Sequence, residues 1–378
     1  MPINILHLHS TFAPSDEAAR AVRLMNAFGD RAKHVIVSAM PDELGAREMI
    51  AKGIRYEIAQ NPPPLAGKPS VRRYEAIARF MARFDLVLTY NWGAIDGVMA
   101  RRVFAKGAPP VVHHEDGLDA AEARPNPIRN AYRRMALGAA HALAVPSHVL
   151  EKTALETWKQ PRDKVRYIAH GVNVAAYAGK KNPKAIPGFT RKEGETVIGA
   201  VIGLTERKDL PLLVRAAAGC VSRVRLVIVG EGPARQAIQD QAEAMMFEDE
   251  LLMPGTLPNP EDYMGLFDIF ALTSKGEQAP FGVIEAMAAG LPVVATPGGD
   301  IAEMVAPENG AYLSPTRAEV HIRDRLDILA KHPEGRKAIG RANQARARAL
   351  FDEAEMIAAY AGLYDEALGR PGALGTCE

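Results

Sequence analysis

Short apolar runs separated by helical stretches recur along most of this chain, and no other feature restricts its fold so strongly. A first series comprises residues 3–9, 34–38, 86–89, 111–113 and 143–145. A second comprises 197–202, 225–229, 269–273, 293–296 and 311–313. Runs this short and this apolar suit strands buried on both faces, and strands alternating with helices predict parallel sheets covered on both sides. The helix read at 17–28 turns Ala21, Leu24, Met25 and Phe28 to one face. Between the two series lies a polar, Pro/Gly/Lys-rich stretch, 179–195, and the linker reads near 174–194. Two doubly wound α/β domains facing across a cleft are therefore expected, the first over 1–175 and the second over 176–349. No internal repeat or extended low-complexity segment is present.

Composition agrees with a globular chain: of 378 residues, 48% are hydrophobic and 24% charged, enough for two cores. The N-terminal MPINILHLHS lacks a basic segment ahead of an apolar run, and no apolar run is long enough for a bilayer, so a cytoplasmic protein is expected. Cys220 and Cys377 match no metal spacing and read as free thiols. Residues 1–175 hold 24 Lys/Arg and 17 Asp/Glu, a net of +7, whereas 176–378 hold 22 and 28, a net of −6. Two Arg groups lie in the basic half: Arg72, Arg73, Arg79 and Arg83, and Arg124, Arg129, Arg133 and Arg134. Either could meet anionic lipid headgroups at the inner membrane face or a lipid diphosphate; the solvated outer face of a sheet-covering helix is the competing reading. A sequence pI near 7.8 and the lack of a basic-aromatic recognition motif argue against nucleic acid.

The stretch 273–296, TSKGEQAPFGVIEAMAAGLPVVAT, carries the densest chemistry. It reads as a strand end, a loop, a helix begun by Pro280 and Phe281 and stopped by Gly290 and Pro292, and a second buried strand. A helix start offers backbone N–H groups and partial positive charge to an anion, here from Phe281, Gly282 and Val283. Glu277 and Glu285, with seven residues between them, would flank that anion and accept hydrogen bonds from hydroxyls. An acidic bias at a helix start is the competing reading of Glu285.

As a whole, E277-x7-E285 followed by A286-M-A-A-G-L-P-V-V294 resembles the signature of the retaining glycosyltransferases of the GT-B fold, family four. The resemblance implies two Rossmann-like domains and a C-terminal helix, about 350–378, crossing back to the first. It implies a nucleotide-diphosphate-sugar donor, a saccharide or lipid-linked saccharide acceptor, and neither a cofactor nor a metal. Glu285 would hold the nucleotide ribose and Glu277 the donor sugar. Many members carry an aromatic–Gly pair two residues after the first Glu; here Gln278, Ala279 and Pro280 precede Phe281-Gly282.

Other positions follow from the same resemblance. Lys208 matches a diphosphate-binding Lys, while Gly203 stands where the family has Arg, leaving Arg207 to compensate. Gly203 could instead answer a backbone need for positive φ or close approach. Gly230 and Gly232 resemble a VGxGP turn near the nucleotide. At the end of a first-domain strand Asp116, then His114, then His113 are ranked for the place of a family His that touches the donor sugar, Asp116 and His114 as catalytic candidates and His113 also on the acceptor side. Ser15 and Asp16 occupy the place of a family Gly pair, and 168–173 resembles the hinge entry, with His170 and Asn173 as variants. His7 and His9 with 113–116 could alternatively supply metal ligands. Two further functional readings stay open: a non-catalytic nucleotide-sugar binder and a GT-B sugar-nucleotide epimerase.

Overall fold

The computed structural model describes residues 2–117, 126–179 and 181–375. The chain divides into two α/β units, residues 1–170 with 355–378, and residues 171–354; the sequence reading put the breaks near 175 and 349.

The first unit is built on strands β1 (Ile3–His9), β2 (Ala32–Ser38), β3 (Tyr56–Ile58), β4 (Leu86–Tyr90), β5 (Val111–His114), β6 (Ala142–Val145) and β7 (Val165–Tyr167). They form one sheet in the order β3-β2-β1-β4-β5-β6-β7, every pair parallel. Alternation along β1 sends Ile3 and Ile5 to one face, where they pack with Phe28, Tyr360 and Tyr364, and Leu6 and Leu8 to the other, with Met81 and Trp158. The helices start where the sequence supplies caps: Ser15 accepts from the Ala18 N–H, Ser70 from Arg73 and Ser147 from Leu150. The C-terminal helix Glu353–Leu368 packs on this unit through Met356, Tyr360, Leu363 and Tyr364, as the resemblance implied.

The second unit holds β8 (Thr196–Val201), β9 (Val224–Val229), β10 (Leu251–Gly255), β11 (Ile269–Leu272) and β12 (Val293–Ala295), in the order β10-β9-β8-β11-β12. All pairs are again parallel. Strand order reverses between β1 and β4 in the first unit and between β8 and β11 in the second. Ligands of doubly wound sheets gather at such switch points, at the carboxyl ends of the strands.

One expected strand is absent. Residues 311–313 are wound as a turn after the short helix Pro307–Gly310, with the Tyr312 N–H on Asn309 O and the Leu313 N–H on Gly310 O. Three strands went unread, β3, β7 and β10, and each is the outermost strand of its sheet. These three are short and part-exposed, so they lack the apolar run that marks a central strand, whereas the other edge strand, β12, is fully buried and apolar; β10 even contains Pro254.

Candidate active site

In the second unit the helix Phe281–Ala288 follows β11, with Pro280 at its N-cap and neither a side-chain cap nor an acidic residue in its first turn. Its N-terminal end thus keeps the backbone donors and dipole that suit an anion. Phe281 and Val283 are buried, and a side chain at Gly282 would come within 3.3 Å of Val201 O at the end of β8. Gly290 ends the segment at positive φ, 77°.

Lys208 closes a 3-10 turn, Glu206–Lys208, beyond β8. Its Nζ lies 2.5 Å from Glu277 Oε1, and Arg207 Nη2 lies 3.7 Å from Glu277 Oε2. Glu277 is 9% exposed, Lys208 22% and Arg207 45%, so the trio sits at the surface with its carboxylate innermost. Two loops are clasped to make this contact. The Lys275 N–H donates to Arg207 O at 2.7 Å, the Thr273 hydroxyl to Asp209 O at 3.0 Å, and Arg317 bridges Thr273 O, Ser274 O and the Asp209 carboxylate. Behind Glu277, Gly299 comes so near that a Cβ there would stand 2.4 Å from Glu277 O.

Glu285 lies in the second turn of its helix rather than the first, as expected from sequence, and accepts a 2.9 Å hydrogen bond from the Tyr177 hydroxyl. Burial, and then the nearby Glu285, push the Tyr263 phenol well above its usual range. Gly203 does not show the backbone constraint considered for it. Its φ is not positive, and a Cβ there would meet nothing within 4 Å. Gly230 and Gly232 are the constrained pair, at φ 145° and 155°. A Cβ on either would stand 2.0 Å from Ile202 O or 2.3 Å from Leu204 O.

The first-unit candidates separate. His113 and His114 were expected to point out from the strand end; both are fully buried. His114 Nδ1 donates to Thr89 O at 3.2 Å, which leaves Nε2 to accept from the Tyr364 hydroxyl at 2.8 Å. Burial, then Arg20, hold His114 well below the ordinary imidazole range. His113 is 2.7 Å from Thr89 Oγ1 and 3.5 Å from Glu115. Both imidazoles are thus held by groups of the first unit. Asp116 is 14% exposed and pairs with both terminal nitrogens of Arg20, the second at 2.9 Å. Burial pushes its carboxyl up, but the Arg20 charge and hydrogen bonds outweigh this and hold it below the usual range. Asp116 is therefore an ionised acceptor, not a proton donor. His170 Nε2 is 4.0 Å away; burial, then Arg20, lower its pKa to about 3, so that contact is polar rather than ionic. Ser15 is the exposed N-cap of the helix Asp16–Phe28, and Asp16 is that helix's exposed first residue.

The rival metal reading finds other partners for its histidines. His7 Nε2 is 3.0 Å from His34 Nδ1, and His9 Nδ1 is 3.1 Å from Glu17. Among the described residues no group of three or more His, Cys, Asp or Glu is arranged to hold a metal ion. The Arg groups are not uniform basic faces either. Arg73 is buried against Asp96 at 2.5 Å and Arg133 against Glu115 at 3.1 Å; Arg72, Arg79 and Arg83 are exposed, and Arg124 lies outside the described residues. Cys220 is a free thiol whose pKa burial raises to about 12; Cys377 also lies outside. No helix among the described residues is long and apolar enough to cross a membrane. Sequence reasoning missed Tyr177, Arg317 and Arg20, none of which sits in a local motif.

Comparison with known proteins agrees with this architecture. Residues 18–176 match the family described as Glycosyltransferase Family 4, and residues 182–346 match Glycosyl transferases group 1. An N-acetyl-alpha-D-glucosaminyl L-malate synthase of Bacillus anthracis is 22% identical over 67% of this chain and 66% of its own length. The putative colanic acid biosynthesis glycosyltransferase WcaL of Escherichia coli is 29% identical over 50% of this chain and 48% of its own. The chain thus spans between about half and two thirds of the length of these relatives. HepE of Anabaena, solved in complex with UDP and glucose, superposes with a TM-score of 0.79 at 20% identity, over 96% of this chain and 100% of that one. With consecutive family matches along most of its length and two parallel-sheet α/β units, the chain belongs to the glycosyltransferases of the GT-B fold.

Proposed function

We propose that this chain is a retaining, metal-independent glycosyltransferase. It would move a sugar from a nucleotide-diphosphate-sugar donor to a hydroxyl of a saccharide or lipid-linked saccharide, in polysaccharide or glycolipid biosynthesis. The observation that carries this reading is the cluster of Lys208 and Arg207 on Glu277 beyond β8, with the loop from Glu277 leading into a helix that starts without an acidic cap, near the end of β8, and carries Glu285. The amides at Phe281, Gly282 and Val283 and the Lys208 ammonium neutralise the diphosphate as it leaves. Glu285 accepts from ribose hydroxyls and Glu277 from hydroxyls of the sugar.

Without ligand, Glu277 is the counter-ion of Lys208. A diphosphate competes for that ammonium and turns the carboxylate over to the sugar, so donor binding itself assembles the contact. The leaving phosphate takes the acceptor's proton on the same face of the sugar, and no carboxylate pair at glycosidase spacing is called for. Asp116, kept ionised by Arg20, can act as a hydrogen-bond acceptor. Peripheral contact with the cytoplasmic membrane face, as a lipid-linked acceptor requires, would use the exposed Arg72 and Arg83.

HepE was solved with UDP and glucose, so UDP is the first nucleotide to try. A thermal-shift panel of UDP, GDP and ADP and their glucose conjugates tests the reading. Ligand at a hundred times its Kd adds about 2.7 kcal/mol to stability, enough to rank the three. The expected result is one preferred nucleotide, with its sugar conjugate hydrolysed slowly when no acceptor is present. A shift without hydrolysis indicates a binder, a new sugar nucleotide indicates an epimerase, and no shift from any member contradicts the reading.

A further inference from the structure

The Tyr177–Glu285 contact has no counterpart in the motifs of the chain. Tyr177 ends the short helix Val174–Tyr177, far in sequence from Glu285, and is 4% exposed. That helix is secured at both ends. Asn173 accepts from the Ala176 N–H at 3.1 Å, and the Lys181 ammonium donates to Tyr177 O. The ring is therefore held in place before any ligand arrives, and its hydroxyl reaches Glu285 Oε1 at 2.9 Å. A Glu side chain has three rotatable bonds, and its carboxylate turns freely unless something holds it. A phenol donating to one oxygen fixes that rotation, and the hydrogen bond, being charge-assisted, is a strong one.

We infer that Tyr177 is a positioning residue of the donor site, which orients the Glu285 carboxylate toward the vicinal hydroxyls of a nucleotide ribose. This rests on the donor-site reading above and adds a specificity element to it. The pair would make the site discriminate a ribonucleoside diphosphate from one lacking the 2′ and 3′ hydroxyls. An unoriented carboxylate gives part of that discrimination away, because it must lose its rotational freedom on binding. A packing role predicts something different: loss of the hydroxyl would then affect both kinds of nucleotide alike.

The experiment is calorimetric titration of wild type, Tyr177→Phe, Glu285→Ala and the double variant. The probes are UDP, GDP and ADP, then the 2′,3′-dideoxy form of whichever binds. Tyr177→Phe keeps the ring and removes one oxygen, and a melting curve checks each variant. The expected result is a loss of about threefold to tenfold for the ribonucleotide in Tyr177→Phe, the size of the ordering cost of one rotamer-rich side chain, and less than about twofold for the dideoxy form. In the Glu285→Ala background the Tyr177 change should add nothing. Equal losses for both nucleotides, no loss for either, or additive losses in the double variant overturn the inference. If Glu285→Ala itself weakens both nucleotides equally, the ribose assignment fails and this inference with it. If only Tyr177→Phe behaves so, the donor-site reading stands and the positioning role alone is lost. Failure of all three diphosphates to bind wild type overturns both.

Discussion

The two units treat polar groups at their strand ends in opposite ways. At the end of β5, His113, His114, Glu115 and Arg133 are each fully buried and bonded to one another or to neighbours in the first unit. Beyond β8 and β11, Lys208, Arg207 and Glu277 form a part-exposed ion-pair cluster. The buried set is bonded largely within protein, with His113 Nε2 left 3.5 Å from Glu115, so it specifies the packing of the first unit. The part-exposed set can exchange a protein partner for a ligand, because both of its cations reach solvent. Richness in His and Asp at a strand end is therefore not by itself evidence of chemistry. Accessibility decides which cluster can act.

The sharpest way to break this comparison is Glu115→Ala. It removes the Glu115 carboxylate from the buried Arg133 guanidinium, which also lies over Trp92 and Trp158 at 5.0 and 4.9 Å. Loss of one partner of a buried pair costs about 3–5 kcal/mol, so the melting temperature should fall steeply while nucleotide affinity, a property of the second unit, holds. Calorimetry of melting and binding reads both. An unchanged melting temperature would show that the buried set does not support the fold.

A smaller effect is expected from pH. Burial lowers His34 to about 4 and, with Arg20, His170 to about 3, and it lowers His7 and His114 well below 6.5. The unfolded chain titrates its histidines near 6.5, so below that pH it binds more protons than the native state does. This contribution to stability is fully present above pH 6.5 and is lost progressively as pH falls toward 4. Chemical unfolding at a series of pH values should show uptake of about two to four protons in that window. All four histidines lie in the first unit. A flat profile between pH 6.5 and 4.5 would mean that these histidines are not held neutral by the fold.

Legibility followed the same division. Central strands such as β1, β4, β9 and β11 announce themselves because burial on both faces demands an apolar run, whereas the outermost β3, β7 and β10 do not. Glu277 and Glu285 were readable because one loop and one helix carry both at fixed spacing, and Lys208 because it follows a strand that ends at the same edge. Tyr177 and Arg317 were not, since only tertiary folding brings them to Glu285 and Asp209. His113 and His114 misled because a strand end can be covered. The C-terminal helix packs on this unit and places the Tyr364 hydroxyl on His114, which no local pattern around residue 114 could reveal.

The central claim is that the part-exposed cluster of the second unit binds the diphosphate of the donor. Titration of Lys208→Ala with the nucleoside diphosphate preferred by wild type, beside Arg207→Ala, tests it most directly. The account predicts a loss of about tenfold or more for Lys208→Ala, equivalent to about 1.4 kcal/mol, with the melting temperature unchanged. Arg207, 45% exposed and 3.7 Å from Glu277, should contribute less. A Lys208→Ala protein that binds the diphosphate as tightly as wild type would contradict the account.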